Sequence, residues 1–221
     1  MPRRPRRGTG GLVFHVINRA ARRLPLFEST TEYVAFLHVL NEAQARIPLR
    51  LLSYVLMPNH WHLVVWPTDD GELSRFMAWL TGTHSKRWHQ LRRTVGSGTI
   101  YQGRYKASAV KDDHHFLTVC RYVERNPVKA RLAERAADWP WGSASAVSRL
   151  LGPRLDPWPV SCPDGWADYV EQLESPGEFD ALRRAIRTSA PFGPDEWRQD
   201  TARRLNWRFG LRPSGRPKRT G

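Results

Sequence analysis

Residues 50–66, RLLSYVLMPNHWHLVVW, decide the fold. Two apolar runs, 50–56 and 61–66, flank the turn-forming stretch Met57-Pro58-Asn59-His60, the pattern of a β-hairpin. Side chains alternate along a strand, so His60 and His62 project from one face while Trp61 and Leu63 project from the other. Two imidazoles at that spacing can grip one divalent metal together. A surface pair, or a pair satisfied inside a core, gives the same letters.

The element order follows on either side of this hairpin. Upstream, residues 12–17 (LVFHVI) read as a strand. Residues 31–45 place Tyr33, Phe36, Leu37 and Leu40 at helical spacing, with Thr30 or Thr31 as the cap. Downstream, residues 73–91 align Leu73, Phe76, Met77 and Leu80 on one helical face before the break at Gly96 and Gly98. Residues 100–110 read as a strand with a bulge at Gly103, and 113–125 as a helix capped by Asp112 or Asp113 and ended by Pro127. The first six elements match the ferredoxin-like split βαβ pattern, an α+β core with one antiparallel sheet, to which the 113–125 helix is an addition. Beyond Leu132 the chain is rich in Pro and Trp, with helices expected at 166–174, 179–188 and 194–204. The expected division is a basic arm (1–10), a core (11–132), a mostly helical accessory region (133–212) and a basic tail (213–221).

Charge is distributed in blocks. The 221 residues hold 35 Lys and Arg against 21 Asp and Glu, a net charge of +14. Residues 1–27 carry seven arginines, 73–111 eight basic residues and 201–221 seven, and none of the three blocks contains an acid. Residues 153–200 reverse the balance, with ten acids and five bases. Such blocks point to a polyphosphate partner, because each phosphate contact releases counterions. Lys86-Arg87-Trp88-His89 mixes cations with an aromatic, which suits exposed, stacking bases. No run reaches the ~18 apolar residues of a membrane span. The apolar stretch after MPRRPRR is too short for a signal-peptide core. Cys120 and Cys162 form neither a CxxC nor a disulfide framework. A soluble, cytosolic, nucleic-acid-binding protein is the expectation.

On the 113–125 helix, Phe116, Val119, Cys120 and Val123 form the apolar stripe. Tyr122 falls about 100° from the stripe centre, with Asn126 and His115 within about 40° of it. A half-buried tyrosine and a helix-ending asparagine also satisfy that arrangement.

HWH followed sixty residues later by a helical tyrosine resembles the single-tyrosine branch of the HUH endonucleases. More closely, VLMPNHWHLVVWP (55–67), GTIYQGRYKASAV (98–110) and CRYVERNPVKARL (120–132) resemble the REP-associated tyrosine transposases. The segments HVINR (15–19) and LTGTHSKRWH (80–89), with the GRPKR tail, add to the likeness. It covers residues 12–132 and resumes at Pro191; the acidic segment between adds nothing to it. Two departures stand out: Trp61 is larger than the Val or Ile between that family's histidines, and Arg131 stands where it has Gly.

The resemblance implies that Tyr122 attacks the scissile phosphate to leave a 5′-phosphotyrosine and a free 3′-OH. It also implies that His60, His62 and Asn126 hold Mg²⁺ or Mn²⁺. The substrate it implies is single-stranded DNA carrying a hairpin, taken by a monomer or homodimer at the bacterial nucleoid. Arg104, Lys106, Arg121, Lys86, Arg87 and Arg216 are the expected DNA contacts, the last in an AT-hook-like Gly-Arg-Pro. Arg104, Lys106 or Arg121 can also lower the Tyr122 pKa, and His115 can take its proton through water. Two rivals remain at this point. One is an RRM-like sheet that binds RNA without cutting it; the other is a metal-dependent nuclease that uses water.

Overall fold

The computed structural model describes residues 8–21, 24–173 and 175–207. The arm arginines Arg3, Arg4, Arg6 and Arg7, and Arg216 of the tail, lie outside the described residues.

Four strands, β1 (Val13–Arg19), β2 (Arg50–Met57), β3 (His60–Trp66) and β4 (Lys106–Val110), form one antiparallel sheet in the order β2-β3-β1-β4. This is the expected split βαβ topology, with the HWH strand central. Phe14, Val16, Tyr54, Trp61, Leu63 and Val65 point to one face, where α1 (Thr30–Arg46) and α2 (Glu72–Leu91) bury them with Phe36, Leu40, Phe76 and Leu80. A capping box at Ser29 and Glu32 starts α1, so the cap is Ser29 and the expected Thr30 and Thr31 are the first helical residues. The opposite face carries Val13, Leu52, Val55, Val64 and Val110 beneath α3 (His114–Glu124), whose Phe116, Val119, Cys120 and Val123 are the expected stripe. Asp113 caps α3 by accepting from the His115 N–H at 2.8 Å.

Two local expectations needed correction. Pairing opposite β1 is broken between Lys106 and an isolated Ala20–Tyr101 bridge, so residues 102–105 leave the sheet instead of forming a bulge within it. Asn126-Pro127 ends α3 but opens another turn, α4 (Asn126–Lys129), because a helix tolerates proline at its start. That turn closes with Arg131 at φ 57°, a left-handed position that costs a residue with a Cβ more than glycine.

Residues beyond 132 wrap both sheet edges. Ser143 N–H donates to the Tyr54 carbonyl (2.8 Å) and Leu56 N–H to that of Trp141 (2.8 Å), while the indoles of Trp139 and Trp158 donate to Leu56 and Leu52. At the β4 edge, Phe192 N–H donates to the Ala109 carbonyl (2.8 Å). Exposed edge groups invite pairing with other chains, and these contacts occupy them. After a short α5 (Ala146–Leu151), which was not expected, and the expected α6 (Trp166–Glu171), α7 (Pro176–Thr188) lays Leu182, Ala185 and Ile186 into the cluster under α3. The helix α8 (Asp195–Arg204) follows.

Candidate functional site

The site lies on the α3 side of the sheet, where register puts Ile17 opposite His62 and Arg19 opposite His60. His62 is 1% exposed, and its Nδ1 lies 2.8 Å from Nε2 of His15, equally buried on β1. The two rings stack with centroids 5.0 Å apart. The ring of His60, half-buried at the strand's start, is 5.0 Å from that of His62. Its Nδ1 donates to the Asn59 carboxamide oxygen at 2.7 Å, which leaves Nε2 with a lone pair. Burial lowers the His60 pKa to about 4, helped by Arg19, and the His15 pKa to about 3; burial also holds His62 well below the ordinary imidazole value. All three rings are therefore neutral at neutral pH.

Helix α3 carries Tyr122 to this group. Its ring stands edge-on to His62 at 5.6 Å and to His15 at 6.0 Å. Phe179 of α7 packs at 6.0 Å, and the Lys129 ammonium lies 5.2 Å from the phenol ring. Asn126 donates its Nδ2 to the Tyr122 carbonyl at 2.8 Å, so it sits one turn beyond the tyrosine with its amide nitrogen committed to the helix.

These residues fit a divalent metal. The outer nitrogen of His62, Nε2, is buried with no hydrogen-bond partner, an arrangement that costs free energy unless something takes the lone pair. His60 and His62 supply neutral imidazoles, and the Asn126 oxygen would add a hard ligand. A separate group of Asp113, His114 and His115 at the start of α3 brings three ligand-type atoms within 4.8 Å of one another.

Tyr122 lines a cleft of about 1,260 Å³ with Asn18, Arg19, Gln102, Arg104 and Lys106 on the sheet side and Arg183, Arg184 and Arg187 across it on α7. The α7 arginines were hidden from the sequence reading by the net acidity of 153–200. Their signal was the amphipathic run Leu182-Arg183-Arg184-Ala185-Ile186-Arg187, which turns an apolar stripe to the core and arginines to its flank. His15 and Lys129 entered only as letters within motifs; nothing local marked the contacts they make.

Several expected DNA contacts are placed elsewhere. Arg121 is buried, 3.6 Å from the Glu178 carboxylate and stacked over Tyr169, so it ties α3 to α6 and α7 instead of facing solvent. Lys86 and Arg87 lie on α2, behind the opposite face of the sheet, where Arg87 bonds Glu42 through both guanidinium nitrogens. Trp88 is no stacking platform, since Arg92 covers its ring at 4.4 Å and its indole donates to Leu26. His115 faces Asp113 and Phe192, about two helical turns from Tyr122, and is not brought to the phenol. Lys106 does line the cleft and donates to the Arg187 carbonyl at 3.0 Å. An RRM-like platform needs one sheet face open with exposed aromatics, yet α1 and α2 cover one face and α3 with α7 covers the other. No described helix is long and apolar enough to cross a membrane.

Residues 9–126 match the family model described as "Transposase IS200 like". A REP-associated tyrosine transposase of Escherichia coli is 25% identical over 138 residues, spanning 61% of this chain and 76% of the relative. One of Haemophilus influenzae, described as putative, is 24% identical over 143 residues, 61% of this chain and 80% of the relative. A solved structure of a REP-associated tyrosine transposase bound to a REP hairpin covers 69% of this chain and 88% of its own, at 24% identity and a TM-score of 0.52. That likeness bears on the fold.

Proposed function

The chain belongs to the IS200-like transposase family, and from that premise we propose that it cuts and rejoins single-stranded DNA beside a hairpin, with Tyr122 as the nucleophile. The observation that carries the reading is the approach of Tyr122 to within 5.6 Å of His62, whose outer nitrogen has no partner. The hairpin preference follows the curated relatives and the solved hairpin complex.

In this reading the Tyr122 oxygen attacks phosphorus as the bond to the 3′-oxygen breaks. The products are a 5′-phosphotyrosine and a strand ending in 3′-OH, with the phenolic proton passed on to solvent and the leaving oxygen protonated. One phosphodiester replaces another, so a 3′-OH can run the step backwards and join DNA without a nucleotide cofactor. His60, His62 and Asn126 would hold Mg²⁺ or Mn²⁺, which when bound supplies Lewis-acid polarisation of a phosphate oxygen. The Lys129 ammonium, 5.2 Å from the centre of the phenol ring, adds positive charge to that side of the site. Arg104 and Lys106 on one wall, and Arg183, Arg184 and Arg187 on the other, grip the backbone on either side of the cut. Residues 11–132 form the catalytic unit, the described part of the accessory region 133–212 braces it and supplies the second wall through α7, and 1–10 and 213–221 are basic segments by sequence. The protein works on the nucleoid in the cytoplasm, as a monomer or homodimer.

The test incubates the protein with labelled single-stranded hairpin DNA and Mn²⁺ or Mg²⁺, then denatures it. A labelled protein–DNA adduct that survives denaturation supports the reading. Cut DNA with no adduct would assign the chemistry to water, and bound but uncut DNA would remove it altogether.

A further inference from the structure

We infer that His15 is a positioning residue for the site: it holds the His62 ring by Nδ1 and can accept the proton there in the one tautomer that offers Nε2 to a metal. The inference rests on the reading of His62 as a ligand and adds a residue to it.

The argument is one of proton placement. His15 and His62 are both buried, and a neutral imidazole, the form a metal ligand must take, carries one proton on one of its two nitrogens. A single hydrogen bond, His15 Nε2 to His62 Nδ1 at 2.8 Å, joins them. Only two arrangements satisfy it. In one, His15 donates, which puts the His62 proton on Nε2, where no acceptor waits and no metal can bind. In the other, His62 donates from Nδ1, which leaves the Nε2 lone pair bare and moves the His15 proton to its own Nδ1. The His15 Nδ1, like the His62 Nε2, is buried without a partner. A pair kept only to satisfy itself inside a core would end on protein groups at both outer nitrogens; this pair ends on none. Binding a cation at His62 Nε2 selects the second arrangement, so the two tautomers move together.

His15 is not a third ligand. Among the described residues the one trio of His, Cys, Asp or Glu with ligand atoms all within 4.8 Å is Asp113, His114 and His115, so His15, His60 and His62 do not converge in that way. Its place behind His62 is that of the outer groups which hold metal-binding imidazoles by their second nitrogen, and which commonly change metal affinity by about 10- to 100-fold. Asn59 stands in the same relation to His60. Each ligand thus has a partner on its Nδ1, one a carboxamide beside it in sequence and the other an imidazole on the neighbouring strand.

The experiment measures Mn²⁺ affinity by calorimetry for the wild type, His15→Gln, His15→Phe and His62→Ala, with ¹⁵N spectra of the histidine rings before and after Mg²⁺ is added. A glutamine carboxamide oxygen can still accept from Nδ1–H; a phenyl ring cannot. We expect affinity to fall about 10- to 100-fold in His15→Phe and to be largely restored in His15→Gln. In the wild type, Mg²⁺ should drive both rings to the Nδ1–H form. Equal affinities in the Phe and Gln variants, or a His62 ring that carries its proton on Nε2 when Mg²⁺ is present, would overturn the inference. If His62→Ala binds Mn²⁺ as well as the wild type does, the ligand assignment beneath it fails instead. Since the Gln and Phe variants are compared with each other, a general loosening of the core, which affects both, does not imitate the expected order.

Discussion

Each face of the sheet buries a histidine against a tyrosine, and the two groups are finished differently. Behind α2, His84 Nδ1 accepts from the Tyr101 hydroxyl at 2.6 Å, and that hydroxyl accepts from the Trp61 indole at 3.1 Å. None of the three keeps a buried side-chain nitrogen or oxygen without a partner. Beneath α3, His62 and His15 share one hydrogen bond and each leaves a nitrogen over, with Tyr122 edge-on to both. One strand serves both groups, because Trp61 stands between His60 and His62 and alternation sends it to the other side. The saturated triad is a finished piece of core. The unsaturated one leaves two buried nitrogens without partners, at a cost in free energy.

The sharpest way to break this comparison is to remove one hydroxyl from each side. Tyr122→Phe is expected to abolish adduct formation, by about 10⁴-fold or more for loss of a nucleophile, while denaturant unfolding and DNA binding stay close to wild type. Cleavage that persists would pass the role to another group. Tyr101 is not available for it, being 7% exposed with its hydroxyl bonded on both sides.

Tyr101→Phe is expected to do the reverse. It strands His84 Nδ1 and the Trp61 indole in an apolar core, at about 1–3 kcal/mol for each unsatisfied group. The urea midpoint should fall well below that of wild type, and protein that remains folded should still form the adduct. A variant as stable as wild type would mean that the core triad is as tolerant of missing partners as the site.

How much of this was legible in the sequence follows from the range of the interactions. Periodicity within a strand or helix is local, so the four strands, the α3 stripe, the opposite faces of Trp61 and His62, and the exclusion of Tyr122 from the stripe were all readable. The meeting of His15 with His62 is a matter of register between β1 and β3, forty-seven residues apart, and no local pattern states it. Charge was misread for a related reason. Lys86 and Arg87 share an acid-free block with Arg104 and Lys106, but the intervening chain carries the two pairs to opposite sides of the sheet. A block average along sequence records neither that separation nor the three arginines that α7 turns to the cleft from an acidic segment.

Protons should destabilise both faces, since burial lowers the His15 and His60 pKa values as well, and the share of the α2 face is the one that a single substitution isolates. Burial lowers the His84 pKa from 6.5 to about 3. The unfolded chain therefore binds a proton at this residue between those values that the native protein refuses. Its contribution to stability is present above pH 6.5 and is lost as the pH falls, at up to about 1.4 kcal/mol per pH unit. In His84→Gln the fall of unfolding free energy between pH 6 and 4 should be shallower than in wild type by up to that slope. Parallel curves would show that His84 is protonated in the folded core.

The smallest effects test whether the faces differ toward DNA. Each phosphate contact on a single strand contributes about 0.7 to the slope of log affinity against log salt. Arg183, Arg184 and Arg187 line the cleft beside Tyr122, so replacing each by Ala should make that slope shallower by about 0.7. Lys86 is as cationic and more exposed to the eye of composition, yet it sits on α2 behind the other face, and Lys86→Ala should leave the slope unchanged. The four single variants carry the same change in net charge, so any effect of overall charge on encounter appears in all of them and cancels between them. What remains is position. Equal slopes for the α7 variants and Lys86→Ala would mean that DNA is held by the field of the whole molecule, and that the cleft beside Tyr122 is not its path. A loss confined to the α7 variants would mean that the strand runs between α7 and the sheet, along the cleft that Tyr122 lines.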